Sequence, residues 1–149
     1  MLRTSGNSPH HETHDSWHLL VFSVGGRRVA VKTLEVGDIS HWDESIPVSG
    51  QTPFVTAVVR RNQAVLPVFD LSAMLQRVVQ GSSLLCLRVK HPDGDMVICI
   101  DEVIPVLQTL DHAMIQPYQG TDVPAEGSYV QGQDEVPILS VSKLGMGPG

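Results

Sequence analysis

Aromatic residues, cysteines and long apolar runs are all scarce in this chain of 149 residues. Phe, Trp and Tyr make up 5% of the sequence, so a core must be mostly aliphatic, and the abundant valine favours β-strands. No apolar run approaches the roughly 20 residues that a membrane-spanning helix requires. No secretory signal opens the sequence, and two cysteines provide no disulfide framework. We therefore expect a cytoplasmic protein without direct membrane insertion.

The net charge of −6 is unevenly distributed along the chain. Residues 46–90 contain five basic residues and one acidic residue, whereas residues 91–149 contain one basic residue and nine acidic residues. A basic middle next to an acidic end provides no broad basic face, which argues against nucleic acid as a partner. Surfaces of mixed sign are typical of protein–protein interfaces, so a protein partner is favoured.

The sequence contains little that indicates catalysis or cofactor binding. Gly25-Gly26 lacks the spacing and the following helix of a dinucleotide-binding loop. Asp70 and Asp101 could form a carboxylate pair for acid–base chemistry, but no nucleophile or pocket accompanies them. Asp70 is better interpreted as the cap of a short helix. We therefore predict a protein that is not an enzyme and that uses no cofactor.

The N-terminal stretch is polar and contains several histidines, which raises the possibility of a metal site. No helix is indicated there, and no Cys or carboxylate completes a zinc-binding spacing, so a disordered segment at residues 1–15 is the favoured interpretation. The histidines concerned are His10, His11, His14 and His18.

Turn signals between apolar segments predict several β-hairpins. A Gly25-Gly26 turn pairs Phe22 with Val29 and places apolar pairs on one face. A turn at residues 91–94 pairs Leu87 with Ile98, and it also places Cys86 opposite Cys99. This pair could be redox-active, but two reduced thiols are favoured in a cytoplasmic protein. A last short hairpin is predicted across residues 132–135.

The central hairpin is the most informative segment. Its apolar arms, Phe54–Val59 and Ala64–Phe69, flank the polar residues Arg60-Arg61-Asn62-Gln63, and Asn62 can adopt the left-handed conformation of a tight turn. Two adjacent arginines at the tip could bind a carboxylate-rich helix, because guanidinium groups bind carboxylates in a bidentate manner. The alternative is a solvated turn that keeps the hairpin soluble.

These segments predict about nine short strands and two short helical segments, at Leu71–Val79 and at His112–Ile115. Residues 41–53 are expected to form a connecting loop. The fold class is all-β, with two small barrels or sandwich-like halves. The ordered domain is expected at residues 16–144, followed by a flexible tail at residues 145–149.

Four segments stand in the order and at the spacing of a known family: Val36–Ile39, Val65–Leu71, Ile100–Val103 and Tyr129–Gly132. In these segments the sequence resembles the CheW-like family of chemotaxis coupling proteins. The resemblance implies two five-stranded, SH3-like β-barrel subdomains and a non-enzymatic adaptor. Its partners would be the regulatory domain of a histidine kinase and the cytoplasmic tip of a chemoreceptor or another scaffold protein, with the adaptor located at membrane-associated chemosensory arrays.

The resemblance also implies two sets of contact residues. The kinase side corresponds to Val36, Asp38 and Ile39. The receptor side, formed by the hairpin tip and the groove between subdomains, corresponds to Ala57, Arg60, Arg61, Asn62, Leu85 and Val106. The tip departs from the family signature Gly-Val-x-Asn-Leu-Arg-Gly, because the signature arginine falls on Asn62 and its last glycine falls on Gln63.

Two alternatives remain open, because the hairpin tip departs from the family signature and because the sequence contains few functional motifs. The chain could be a specialised adaptor of a pilus-linked or polar-localisation chemosensory system, with a partner that is not a receptor. It could also be a small β-barrel enzyme or ligand-binding protein, which would require a sizeable pocket with convergent polar groups.

Overall fold

Strands account for most of the fold in the computed structural model, which describes residues 16–145. Within this range there are eleven strands, one short α-helix and three 3-10 turns, at Thr33–Glu35, His112–Met114 and Val141–Lys143. The strands and the helix are β1 (Ser16–Val24), β2 (Arg27–Lys32), β3 (Val36–His41), β4 (Ile46–Pro47), β5 (Val55–Arg61), β6 (Ala64–Phe69), α1 (Leu71–Leu75), β7 (Leu85–Val89), β8 (Met96–Ile100), β9 (Val106–Asp111), β10 (Ala125–Gln131) and β11 (Asp134–Leu139).

The strands form two sheets, which confirms the all-β fold class. The first sheet has five strands in the order β9-β1-β2-β11-β10, and the second has six in the order β3-β7-β8-β6-β5-β4. The prediction of five strands in each half is therefore wrong for the second sheet. Its additional strand, β4, has two residues that pair with β5. A two-residue strand has no periodicity, so the sequence alone placed it in a loop.

The predicted hairpin registers are confirmed. Phe22 pairs with Val29 across the Gly25-Gly26 turn. Leu87 pairs with Ile98, and Cys86 lies opposite Cys99. These registers follow from the sequence because a shift by one residue would turn every apolar side chain to the opposite face of its sheet.

Three apolar clusters stabilise the described part of the chain. The largest lies between the two sheets and joins Phe22 and Val29 of the first sheet to Leu87 and Ile98 of the second. A second cluster, around Tyr129, lies on the other face of the first sheet. A third, around Val59, lies on the other face of the second sheet. Burial between the sheets therefore fixes how the two halves are arranged.

The helix after the central hairpin begins where predicted but ends earlier. Asp70 accepts a hydrogen bond from the backbone N–H of Ala73 at 3.1 Å, which confirms it as the cap. The helix ends at Leu75 instead of continuing to Val79, because Gln76 adopts the left-handed conformation with φ of 57°. The predicted helical segment after residue 111 is a single 3-10 turn, His112–Met114.

A buried carboxylate connects the first hairpin to the second sheet. Asp101 is 1% exposed, and its two oxygens accept hydrogen bonds from the backbone N–H groups of Gly25, Gly26 and Gln80, each at 2.8 Å. The N–H of Gly25 is buried, and a buried backbone N–H must be paired. Asp101 therefore stabilises the Gly25-Gly26 turn, and the acid–base role considered for it has no support in this geometry.

Replacement of Gly25 by Ala is expected to be more destabilising than the same change at Gly132. Both glycines have positive φ, +59° and +64°, so both alanines meet similar backbone strain. A Cβ at Gly25 would lie 2.5 Å from the Cβ of Arg77, whereas nothing lies within 4 Å at Gly132. We expect a loss of about 1 kcal/mol at Gly132 and about 3 kcal/mol at Gly25. Urea unfolding followed by circular dichroism measures both, and equal losses would contradict the predicted clash.

No helix within residues 16–145 is long and apolar enough to cross a membrane. The predictions of a disordered segment at residues 1–15 and of a flexible tail concern residues outside the described range, except that residue 145 belongs to a turn.

Candidate protein-binding groove

An apolar groove lies between strands β3 and β7 of the second sheet and the loop that leads into β9. Strand β3 is an edge of the second sheet, and the segment that leads into β9 lies at an edge of the first. The groove has a volume of about 500 Å³. It is lined by Ile39, His41, Ser83, Leu85, Glu102, Ile104 and Pro105.

The groove is the solvent-open margin of the core between the sheets. In β7, Leu85 and Leu87 point to the same face, because side chains alternate along a strand. Leu87 is buried in the core between the sheets, whereas Leu85 is half-buried and lines the groove. Opposite them on β3 lie His41 and Ile39. One face of the β3–β7 pair therefore packs into the core at Leu87 and remains available for binding at Leu85.

The segment before β9 provides the most exposed apolar side chains of the groove. Ile104 in this segment is 79% exposed. Leu107, the second residue of β9, is 73% exposed. Leu107 lines a second depression together with Thr33, and the neighbouring Leu34 is 85% exposed. Contiguous exposed apolar surface of this kind marks interaction sites more often than isolated exposed residues do.

The carboxylate of Glu102, at the rim of the groove, is already engaged within the protein. Glu102 accepts hydrogen bonds from the backbone N–H groups of Ser82 and Ser83 at 3.0 and 3.4 Å. Its carboxylate therefore orders the loop that forms one wall of the groove. No group of three or more metal-ligating side chains occurs within residues 16–145. The arrangement is suited to binding an apolar surface.

The residues assigned to the kinase side do not form a surface separate from the receptor side. Ile39 lines the groove together with Leu85, which the resemblance assigns to the receptor side. Val36 is half-buried and packs against the core between the sheets. Asp38 is exposed and pairs in register with Arg88. Val106, the first residue of β9, is 62% exposed and directly follows Pro105 of the groove.

At the central hairpin the structure differs from the expected tip. Arg60 and Arg61 are the last residues of β5, and the turn consists of Asn62 and Gln63, with Asn62 in the left-handed conformation at φ of 54°. Adjacent residues of a strand point to opposite faces. The expectation that both arginines are presented together is therefore wrong.

The two arginines have different surroundings. Arg61 donates hydrogen bonds to Asp43 Oδ2 at 2.7 Å and to the His41 carbonyl oxygen at 3.0 Å, and its side chain is 16% exposed. Arg60 is exposed and pairs in register with Val65. Arg60 is thus the arginine of this hairpin that is open to solvent.

Ala57 lies apart from the groove. It lines a separate depression of about 300 Å³, together with Trp42, Val68 and Cys99. The structure therefore brings Leu85 and Ile39 together, places Val106 next to them, and assigns Ala57 to a different surface.

Sequence reasoning did not single out Ile104, Pro105, Leu107 or Leu34. A signal for the first three was present, because residues 103–107, Val-Ile-Pro-Val-Leu, are apolar without interruption. A strand that alternates between core and solvent cannot bury all of them, and Pro cannot join a central ladder. Part of this run therefore had to be exposed. Leu34 lies in a 3-10 turn and gave no such signal.

The comparisons with known proteins agree with this geometry. The family model of the CheW-like domain matches residues 18–145. The chain belongs to the CheW-like domain family. A chemotaxis protein CheW from Rhizobium meliloti (strain 1021) is 24% identical over 127 residues, which cover 85% of this chain and 82% of the relative. The crystal structure of the scaffolding protein TtCheW from Thermoanaerobacter tengcongensis superposes with a TM-score of 0.69 at 18% identity, over 85% of this chain and 90% of that one.

The CheW-like fold accounts for the segments quoted from the sequence. Asp101, which follows β8, holds the first hairpin through backbone hydrogen bonds, and Asp70, which follows β6, caps the helix. Both carboxylates have structural roles in this chain.

Proposed function

We propose that this CheW-like protein is a non-enzymatic adaptor that couples a histidine kinase to chemoreceptors or related scaffold proteins in a chemosensory array. The apolar groove between the sheets is the observation on which this proposal depends. Its most exposed side chain, Ile104, is 79% exposed and follows Val103, which is 66% exposed, and grouped exposed apolar side chains mark interaction sites. The CheW-like family membership supports the adaptor class.

The groove is suited to an amphipathic helix. One wall is formed by strands β3 and β7 of the second sheet and the other by the loop that leads into β9, so Ile39 lines the same cavity as Ile104 and Pro105. A helix binds such a groove through apolar residues spaced three and four apart along one face. We assign the cytoplasmic tip of a receptor, which would present such a helix, to this groove, with Leu85 and Val106 at its margins.

The regulatory domain of the kinase would bind the side of β3 that is distal to the groove. Asp38 is exposed there, and Val36 is half-buried beside it. Ile39 lies at the border between this surface and the groove. Arg60 at the central hairpin provides a further cation for a carboxylate of either partner, while Arg61 is engaged by Asp43.

The proposal is tested with purified kinase regulatory domain and a receptor-tip fragment, each titrated calorimetrically into the full chain. Binding to both with dissociation constants in the micromolar range is expected. Ile39 lies at the border of the two surfaces, so a third titration tests whether the two sites are separate. In it, one partner is titrated into the complex of this chain with the other partner. A ternary complex supports two adjacent sites, and mutual exclusion would contradict them. Absence of binding to either partner at tens of micromolar would contradict the adaptor function itself.

A further inference from the structure

We infer that Cys86 and Cys99 form a site for reversible disulfide formation, with a low-molecular-weight disulfide as the oxidant. This inference does not depend on the proposed adaptor function. Both thiols are free in the structure, and they lie directly opposite each other on neighbouring antiparallel strands, β7 and β8. A disulfide forms only if this position of the ladder brings the two sulfur atoms within bonding distance.

The backbone hydrogen bonds next to β7 show whether Cys86 and Cys99 form a hydrogen-bonded or a non-hydrogen-bonded cross-strand pair. Just beyond its ends, the Lys90 N–H donates to the Glu35 carbonyl at 2.8 Å, and the Leu84 carbonyl accepts from the Trp42 N–H at 2.9 Å. Both groups point away from β8, toward the chain on the β3 side. Backbone groups alternate in direction along a strand, so Cys86, which lies two residues from Leu84, also directs its N–H and C=O groups toward β3.

Cys86 and Cys99 are therefore a non-hydrogen-bonded pair. In such pairs the Cα atoms are about 4.5 Å apart and the side chains are closer than at hydrogen-bonded positions. Disulfides span Cα separations of roughly 4.4–6.8 Å, so this position of the ladder admits one without a change of register. At the neighbouring pair, Leu87 and Ile98, the backbone hydrogen bonds would hold the strands farther apart.

The surroundings of the two thiols assign them different roles. Cys99 lines the depression of about 300 Å³ that also contains Ala57 and Trp42, so a small oxidant can reach it from solvent. Cys86 is 1% exposed and packs in the apolar cluster with Val59 and Val97. Burial raises the pKa of Cys99 to about 12 and also raises the pKa of Cys86, so both remain thiols at neutral pH and the exchange is slow.

The exchange proceeds in two balanced steps. The Cys99 thiolate attacks one sulfur of the small disulfide, a Cys99 mixed disulfide forms, and the other half leaves as a thiolate. The Cys86 thiolate then attacks the Cys99 sulfur and displaces the second half. The small disulfide accepts two electrons, and the two cysteine protons convert both released thiolates to thiols.

The experiment treats the native full chain with oxidised glutathione, blocks remaining thiols with a maleimide, and maps tryptic peptides by mass spectrometry. Trypsin cleaves after Arg88 and Lys90, between the two cysteines, so Cys86 falls in residues 78–88 and Cys99 in residues 91–143. We expect these two peptides to be recovered as one disulfide-linked species that reduction separates. The Cys99→Ser variant, with its fold verified by circular dichroism, should lose no thiol at Cys86 under the same conditions.

Each other outcome would overturn the inference. Glutathione retained on Cys99 with Cys86 still blocked by maleimide would show that the second step does not occur. Two free thiols would show that the site is inaccessible, and covalent dimers on a non-reducing gel would show intermolecular pairing. Linkage that forms only in urea would show that the folded ladder does not hold the pair.

Discussion

Replacement of Asp101 by Ala is expected to lower the free energy of unfolding by about 4 kcal/mol, which is a large fraction of the stability of a typical domain. The carboxylate of Asp101 is 1% exposed and accepts three backbone hydrogen bonds. Alanine leaves the buried N–H of Gly25 and the part-buried N–H groups of Gly26 and Gln80 without their acceptor. An orphaned buried donor costs about 1–3 kcal/mol, and the two part-buried donors add less because water can reach them. Urea unfolding followed by tryptophan fluorescence measures the loss.

Two further variants separate the hydrogen bonds of Asp101 from nonspecific effects. Asp101→Asn keeps one acceptor oxygen but directs an NH₂ group at a donor, so a loss of about 2 kcal/mol is expected. Asp93→Ala changes an exposed carboxylate in a turn and should alter stability by less than about 0.5 kcal/mol. A loss at Asp101→Ala no larger than that at Asp93→Ala would show that the buried carboxylate does not stabilise the hairpin.

Replacement of Ile104 by Lys is expected to weaken binding of the receptor-tip fragment at least tenfold, by about 1.4 kcal/mol or more. Ile104 is 79% exposed, so the change should leave the fold intact, yet its side chain lines the groove in which we place the receptor helix. A lysine there would have to be desolvated without a partner when an apolar helix binds. Calorimetric titration gives the affinity, and binding of the kinase regulatory domain should change less.

The matched control for Ile104→Lys is Val130→Lys. Val130 is 54% exposed on β10, at the opposite edge of the first sheet from β9, and it does not line the groove. This variant adds the same charge, so equal weakening by both would indicate a general electrostatic effect. Unchanged affinity in Ile104→Lys would remove the groove from the receptor interface while leaving the kinase interface open to test.

Local structure was largely predictable from the sequence. The Gly25-Gly26 turn set the register of the first hairpin, since apolar residues at alternate positions match on one face in a single register. The same argument paired Leu87 with Ile98, and the position of Asp70 before a helical segment predicted a cap that the structure confirms. The order of these segments also indicated the CheW-like family, which the family match confirms.

Predictions failed where residues distant in sequence determine the outcome. Arg61 was expected at an open tip, but it ends β5 and contacts Asp43, which lies 18 positions earlier in the chain. The two-residue strand β4 exists only because β5 lies beside it. The left-handed conformation of Gln76 ends the helix, although no glycine or proline at that position indicated an end.

The sequence by itself determined most of the strands, their hairpin registers and the family to which the chain belongs, because each depends on the alternation of neighbouring residues and on local turn chemistry. Only the tertiary structure decided the groove. Ile39, Leu85 and Ile104 are far apart in sequence and line one cavity because burial of the core between the sheets brings the edge of the second sheet next to the loop that leads into β9. That arrangement depends on packing between distant segments, and a local pattern of residues does not contain it.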